Sequence, residues 1–198
     1  MDSELARDRA LDAAEELFYG RGIQTVGMDD IRTRSGVSLK RLYGLFPAKE
    51  QLVEAYLERR DVRWRRRLAE HVERHPDPVE RILAVFDWLG QWFREPGFRG
   101  CAWINSYGEL GATSPRVLAQ VHAHKQAFKA YLTALVTDAG LPAPLADQLF
   151  LLAEGAMVTA GTEGTAEPAE QAGHAAGLLL EAYRHSGADG RAASSVRP

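Results

Sequence analysis

The chain has 198 residues, of which 45% are hydrophobic and 26% are charged, a composition typical of a globular protein with a sizeable core. This composition argues against collagen-like and disordered proteins, and the length argues against a large multidomain enzyme. The formal net charge is −3, and the single cysteine, Cys101, excludes an intrachain disulfide framework and a cysteine-based zinc cage.

Helical periodicity runs almost from end to end, whereas the period-two alternation typical of strands is absent. Glycine and proline residues mark the ends of the helical segments. The predicted helices cover residues 4–19, 26–35, 39–45, 48–72, 78–94, 99–110, 115–138, 143–160 and 168–185. A loop is predicted at 161–167, and the small, polar segment 186–198 is predicted to be a disordered tail. The sequence therefore predicts an all-α fold.

The second and third predicted helices are short and are joined by a tight turn at Gly36, which is the arrangement of a helix-turn-helix. The hydroxyls of Thr25 and Ser38 are predicted to cap these two helices. Leu42 and Phe46, four residues apart, are predicted to point inward. The outward positions of the third helix are then Leu39, Lys40, Arg41, Tyr43 and Gly44.

A short helix that exposes lysine, arginine and tyrosine suits the major groove of DNA. The charge distribution agrees, since residues 1–67 carry 14 Lys and Arg against 12 Asp and Glu, whereas residues 68–198 carry 10 against 15. A basic face on an acidic body is compatible with phosphate binding. The spacing alone fits a bundle corner with a solvated face equally well.

The run from Thr25 to Leu52, TVGMDDIRTRSGVSLKRLYGLFPAKEQL, resembles the N-terminal domain of the TetR family of transcriptional regulators. The preceding run from Ala13 to Gly22, AAEELFYGRG, is similar to the first helix of that family and its glycine turn. The resemblance implies a helix-turn-helix DNA-binding domain at 1–47. It also implies a larger helical regulatory domain at 48–185, which binds a ligand and dimerises.

The resemblance assigns roles to individual residues. It implies that Thr25 and Tyr43 contact DNA phosphates, that Lys40 and Arg41 lie in or beside the major groove, and that Lys49 meets a phosphate at the start of the fourth helix. The candidate DNA-binding residues are Thr25, Ser38, Leu39, Lys40, Arg41, Tyr43 and Lys49. Leu39 and Gly44 depart from the usual family pattern. They leave open a helical protein-interaction or sequestering module that no longer reads DNA.

In the family the last two helices pair with a second subunit, and the sequence gives separate support for a homodimer through helices 143–160 and 168–185. Small residues recur along both helices and permit close helix packing. They are Ala153, Ala156, Ala160, Ala172, Ala175 and Ala176, and they lie beside Leu149, Leu152, Leu179 and Tyr183. Packing within the monomer is the alternative explanation.

Aromatic residues with a few hydrogen-bonding groups are what a pocket for a flat, apolar ligand requires. The candidate ligand-binding residues are Phe86, Trp88, Trp92, Trp103, Asn105, Tyr107 and Phe128. The cavity is expected among helices 78–94, 99–110, 115–138 and 143–160. For each of these aromatic residues, an ordinary place in the core is the alternative.

Other functions are disfavoured. No motif activates Cys101, so we expect no enzyme and no cofactor. The histidines His71 and His75 have the i, i+4 spacing of a metal site, but Pro76 follows at an expected helix end, so we expect no metal.

No segment has the ~20 consecutive apolar residues of a membrane span, and the N-terminus lacks an apolar signal segment. We therefore expect a soluble, cytoplasmic protein without a membrane partner.

The function predicted from the sequence is that of a ligand-responsive, sequence-specific DNA-binding transcriptional regulator. The expected partners are a palindromic double-stranded DNA operator, a small apolar or aromatic effector, and a second copy of the chain. A repressor released by its effector is the expected mode of action.

Overall fold

The computed structural model describes residues 2–194. In this part of the chain nine α-helices and no strands are present, which confirms the all-α prediction. The helices are α1 (Ser3–Arg21), α2 (Met28–Ser35), α3 (Leu39–Leu45), α4 (Lys49–Val72), α5 (Pro78–Phe93), α6 (Ala102–Leu110), α7 (Pro115–Asp138), α8 (Pro144–Glu163) and α9 (Glu167–Ser194).

The start of α2 differs from the prediction. Its N-cap is Gly27, whose backbone N–H donates to the Asp30 carboxylate at 2.8 Å. The Thr25 hydroxyl instead donates back to the carbonyls of Arg21 at 2.9 Å and Gly22 at 3.1 Å. The prediction that Thr25 caps α2 is wrong, because its hydroxyl is engaged with the end of α1. At its other end α2 stops as expected at Gly36, which has φ +67°.

Two predicted boundaries near the C-terminus are also corrected. Helix α8 continues to Glu163 and ends at Gly164, whose φ of +71° closes the helix, so the predicted loop at 161–167 begins too early. Helix α9 continues to Ser194, because no proline interrupts it before Pro198. The tail predicted at 186–198 therefore overlaps the end of α9, and 195–198 lie outside the described residues.

The chain forms two compact units, each built from two separate stretches of sequence. Unit 1 comprises Met1–Arg65 and Arg99–Lys125, and unit 2 comprises Arg66–Phe98 and Gln126–Pro198. Neither unit follows the predicted boundary at residue 47, so the domains 1–47 and 48–185 remain functional predictions.

In unit 1 the first three helices close around a small apolar core. Ile31 of α2 and Leu42 of α3 are fully buried, and Phe46 directly after α3 is 2% exposed. Burial of such side chains contributes roughly 1.5–3 kcal/mol each before the entropy of ordering is subtracted. These contacts fix the orientation of a helix as short as α3, which would not be stable alone.

In unit 2 the long helices α5, α8 and α9 pack closely through small residues. A Cβ atom added to Gly173 would lie 3.2 Å from the Cβ of Phe86, so α9 approaches α5 at this glycine. The small residues of α8 and α9 that were noted in the sequence are largely buried within this unit, namely Ala153, Ala156, Ala160, Ala172 and Ala176. Packing within the monomer therefore explains them.

No helix among the described residues combines the length and the apolar character needed to cross a bilayer.

Candidate nucleic-acid interface

Helix α3 presents polar side chains on one face and anchors itself by the other. Lys40 is exposed, Tyr43 is 48% exposed and Arg41 is half-buried. On the opposite face Leu42 and Phe46 are buried. The residues predicted to face outward and inward are therefore placed as the sequence indicated.

The cations around α3 differ in whether an acidic residue neutralises them. Arg32 pairs with Asp29 at 3.0 Å, and Arg34 pairs with Glu16 at 2.6 Å. Within the described residues, neither Lys40 nor Arg41 forms an ion pair. The cations of α3 are therefore free to meet phosphates or base edges, which is the electrostatic condition for DNA binding.

The serine at the start of α3 has a hydroxyl that does not cap the helix. Ser38 occupies the N-cap position, but its hydroxyl makes no capping hydrogen bond, contrary to the prediction. Leu39 is half-buried, and a Cβ at Gly44 would meet open space beyond the helix itself, as far as the described residues extend. The structure thus brings five predicted residues together on α3 and at its N-cap, namely Ser38, Leu39, Lys40, Arg41 and Tyr43.

Lys49 and Thr25, the other two predicted DNA contacts, have partners within the protein. The Lys49 ammonium donates to the carbonyl oxygen of Ile23 and lies 5.8 Å from the centroid of the Phe18 ring. Burial lowers the pKa of Lys49, although the nearby carboxylate of Glu109 opposes the shift. Lys49 therefore connects the start of α4 to the turn before α2, and its predicted phosphate contact would require it to leave this position.

A segment distant in sequence holds the turn between α1 and α2. The backbone N–H of Gln24 donates to the Glu109 carboxylate at 2.8 Å, and the Gln24 side-chain amide donates to the Glu109 carbonyl at 2.6 Å. Gly22 in the same turn has φ +90°, and a Cβ there would lie 3.3 Å from that carboxylate. Glycine at this position therefore permits both the conformation and the close approach.

Further hydrogen bonds join the same two stretches of unit 1. The Tyr19 hydroxyl donates to the carbonyl of Gly100 at 2.7 Å and accepts from the backbone N–H of Arg99 at 2.8 Å. The Ser114 hydroxyl donates to the Glu50 carboxylate. These contacts could not be predicted from the sequence, since no local pattern links residues more than 60 positions apart.

The seven predicted ligand-binding residues are divided between the two units. In unit 1, Trp103 is fully buried, whereas Asn105 is exposed and donates to the carbonyl of Arg99 at 2.9 Å, and Tyr107 is 57% exposed. In unit 2 the aromatic residues are buried, and two indoles stack with centroids 5.7 Å apart. These unit 2 residues are Phe86, Trp88, Trp92 and Phe128. Their predicted contact with a ligand stays a prediction.

Unit 2 contains an open groove of about 870 Å³. Of the predicted ligand-binding residues only Phe86 lines it, together with polar side chains that include His71, His75 and His174. The His71 and His75 rings are 5.8 Å apart. Among the described residues no group of three or more histidine, cysteine, aspartate or glutamate side chains is placed to hold a metal.

The outer faces of α8 and α9 expose large apolar side chains. Leu151 is 69% exposed and Val158 is 45% exposed on α8, and Leu178 is 55% exposed on α9. Exposed aliphatic residues on two adjacent helices are typical of an interaction surface. The residues that favour a dimer are therefore these three, and not the buried alanines noted in the sequence.

Residues 10–56, which contain α2 and α3, match the sequence profile of the bacterial regulatory proteins of the tetR family. The crystal structure of a TetR-family transcriptional regulator from Streptomyces coelicolor aligns with this chain at a TM-score of 0.82 and 30% identity, covering 91% of this chain and 96% of that one. The chain belongs to the TetR family of transcriptional regulators. Membership confirms the resemblance inferred from Thr25–Leu52, and the family is one of regulators and not of enzymes.

Two relatives described as HTH-type transcriptional regulators agree with this assignment. An uncharacterized HTH-type transcriptional regulator of Mycobacterium tuberculosis is 40% identical over 81 residues, which are 41% of this chain and 40% of that protein. The HTH-type transcriptional activator FasR of Mycolicibacterium smegmatis is 31% identical over 140 residues, which are 69% of this chain and 62% of that protein. The matched region spans less than two thirds of the length of each of these curated relatives.

Proposed function

We propose that this TetR-family chain acts as a homodimer that binds a palindromic DNA operator and represses transcription until a small apolar or aromatic effector releases it. The observation that carries the proposal is the exposed face of α3, where Lys40, Arg41 and Tyr43 project from a helix anchored by Leu42. In a helix-turn-helix dimer the two recognition helices occupy successive major grooves, roughly 34–36 Å apart.

The proposed dimer uses the exposed faces of α8 and α9. Leu151, Val158 and Leu178 would be buried in a four-helix interface, which would remove the exposed apolar surface of each copy from water. Charged residues at these positions, as in Leu151→Glu with Leu178→Glu, should yield a monomer in sedimentation velocity. A dimer that persists in this variant would contradict the proposed interface.

Within the proposed interface, each residue of α3 has its own expected effect. Lys40 and Arg41 would approach the major groove, and Tyr43 would donate its hydroxyl to a phosphate. Tyr43→Phe should then weaken binding to all sequences by a few-fold without changing the salt dependence, because the lost group is uncharged.

Selection of binding sites from random duplex DNA tests the proposal. The wild-type protein should enrich a palindrome, and Lys40→Ala/Arg41→Ala should lose or alter that sequence and flatten the dependence of affinity on salt. The matched control, Arg66→Ala/Arg74→Ala, removes the same charge from unit 2 and should enrich the same palindrome. Enrichment of no sequence by a folded dimer, or of an unchanged sequence by the α3 variant, would contradict the proposal.

Release by an effector implies reciprocal coupling. A molecule that lowers the affinity for the operator by some factor must itself bind the operator complex more weakly by the same factor. An activator is the second candidate, because FasR, which is 31% identical, is named as an activator. A reporter gene behind the selected operator distinguishes the two, since deletion of a repressor raises expression and deletion of an activator lowers it.

A further inference from the structure

A stacked pair of aromatic rings lies in the interior of unit 1. The rings of Trp103 in α6 and His124 in α7 are nearly parallel, at 4°, with centroids 3.4 Å apart. Trp64 of α4 meets the His124 ring edge-on at 5.0 Å. Trp103 is fully buried and His124 is 1% exposed. A histidine in such a place needs hydrogen-bond partners for both of its ring nitrogens.

One nitrogen of His124 has a partner, and that contact decides which nitrogen carries the proton. Nδ1 lies 2.7 Å from the Asp61 carboxylate, which also accepts from Arg65 at 2.8 Å. Burial lowers the pKa of His124 to about 4, although the Asp61 hydrogen bond opposes the shift. The imidazole is therefore neutral at pH 7 and donates its Nδ1–H to Asp61, so Nε2 carries a lone pair and acts as an acceptor.

Two buried polar atoms of the stacked rings remain unpaired. Neither Nε1 of Trp103 nor Nε2 of His124 has a hydrogen-bond partner among the described residues. The indole N–H can only donate, and the His124 nitrogen in this tautomer can only accept. A buried polar group without a partner is unfavourable, so a donor and an acceptor in adjacent rings favour the binding of a group that satisfies both.

We propose that Trp103 and His124 recognise a hydroxyl group of an uncharged aromatic effector. A hydroxyl oxygen accepts a hydrogen bond from the Trp103 indole, and its proton is donated to His124 Nε2. An ether or carbonyl oxygen can only accept, and an ammonium can only donate. The charges of Asp61 and Arg65 offset each other, which favours a neutral molecule, and the indoles of Trp64 and Trp103 favour an aromatic one. The inference rests on the proposed response to an effector and names its chemical class.

Three probes of similar size test this inference on the full-length protein without DNA. They are 2-naphthol, which donates and accepts, 2-methoxynaphthalene, which only accepts, and naphthalene, which does neither. We expect 2-naphthol to bind about tenfold or more tightly than either analogue in calorimetric titrations, since both buried groups gain a partner. Equal affinities, as expected if the two atoms bind only an ordered water, would overturn the proposal, as would failure of all three probes to bind.

Matched variants test whether the preference for 2-naphthol arises at Trp103 and His124. Trp103→Phe removes the indole N–H and His124→Phe removes the acceptor, and each should bring the affinity for 2-naphthol to within about threefold of that for 2-methoxynaphthalene. His122→Phe makes the same substitution as His124→Phe at an exposed residue of α7 and should leave the preference intact. A preference that survives in folded Trp103→Phe, or is lost in His122→Phe, would contradict the site. If the unit 1 variants do not fold, the three probes on the wild-type protein decide alone.

Selection of DNA-binding sites tests the proposed function independently of the hydroxyl site. A protein that binds its selected operator but does not distinguish the probes contradicts the hydroxyl site alone. A protein that prefers 2-naphthol but enriches no DNA sequence contradicts the proposed function alone. When both hold, 2-naphthol should lower the affinity for the operator and 2-methoxynaphthalene should do so at least tenfold less effectively.

Discussion

Unit 1 and unit 2 differ in how polar groups take part in their packing. In unit 1, Glu15 of α1 accepts from Arg60 of α4 at 2.7 Å, and Glu109 of α6 holds Gln24 through two hydrogen bonds. In unit 2 the contact between α5 and α9 runs through glycine, alanine and aromatic residues, with Gly173 against Phe86. Directional contacts therefore position the helices that carry the candidate DNA interface, whereas close apolar packing holds the helices that carry the candidate dimer face.

This difference leads to distinct responses to salt and pH. Ion pairs weaken in salt, and buried titratable groups couple stability to pH, whereas apolar packing responds to neither in this way. Substitutions in unit 1 and in unit 2 should therefore differ in how their effect on the free energy of unfolding depends on salt and pH.

The largest expected effect is in unit 2. Leu89 of α5 is fully buried, and Leu89→Ala should lower the free energy of unfolding by about 3 kcal/mol, because a cavity remains in a closely packed region. Urea denaturation at low salt and at about 1 M NaCl should give the same loss. A loss of unfolding free energy that depends strongly on salt would contradict the difference described between unit 1 and unit 2.

His124 in unit 1 should make the stability depend on pH. Burial lowers the pKa of His124 to about 4, below the ordinary value of 6.5, so the unfolded chain binds more protons than the folded one between these values. Stability should fall as the pH drops, by about 2 kcal/mol between pH 7 and pH 5. Comparison of wild type with His124→Phe isolates this contribution, since His71 in unit 2 is unchanged in both. Equal slopes would show that His124 titrates normally.

Loss of the ion pairs of Glu15 should have a smaller effect. Its carboxylate is 18% exposed and pairs with Arg60, Arg63 and Arg59. Glu15→Gln should lower the free energy of unfolding by about 1.5 kcal/mol at low salt and by less at about 1 M NaCl. Glu16→Gln, which removes the exposed pair with Arg34, is the control and should have no measurable effect. A larger loss of stability for Glu16→Gln than for Glu15→Gln would contradict the expectation that the less exposed carboxylate contributes more.

The smallest change in stability should accompany a clear change in DNA binding. Glu109→Ala removes the acceptor for the Gln24 backbone N–H and should destabilise unit 1 by about 1 kcal/mol. Affinity for the selected operator should fall by about fivefold, equally for all variants of its sequence, because the turn before α2 is less well positioned. Fluorescence anisotropy with Glu95→Ala as the control measures this. An altered sequence preference would instead indicate direct contact of Glu109 with DNA.

Local patterns in the sequence predicted a large part of the fold. Spacing of apolar residues located the nine helices of the described residues to within a few residues, except for the end of α9. Gly36 and the buried Leu42 and Phe46 followed from the rules for turns and helix faces. Local rules also placed Lys40 and Tyr43 on the exposed face of α3, and their contact with DNA stays a prediction. The resemblance of Thr25–Leu52 to a known family supplied the functional assignment, which periodicity alone left open.

The sequence could not predict contacts between distant segments. Thr25 was expected to cap α2, but its hydroxyl bonds to α1, and Lys49 bonds to the turn before α2. These outcomes depend on tertiary geometry that no local rule contains. His124 did leave a signal, since it lies on the same helical stripe as Val117, Val121 and Phe128. A polar residue on an otherwise apolar stripe indicates a buried hydrogen bond.

The link between Gln24 and Glu109 has a consequence for the order in which the protein is made. The two residues are separated by 85 positions, and Tyr19 and Gly100 by 81. During translation the helices α1 to α3 leave the ribosome long before α6, so they first emerge without the partners that hold the turn at residues 22–25. Such long loops also slow folding. The candidate DNA interface, although encoded first, should therefore reach its final geometry only after the chain has been synthesised beyond α6.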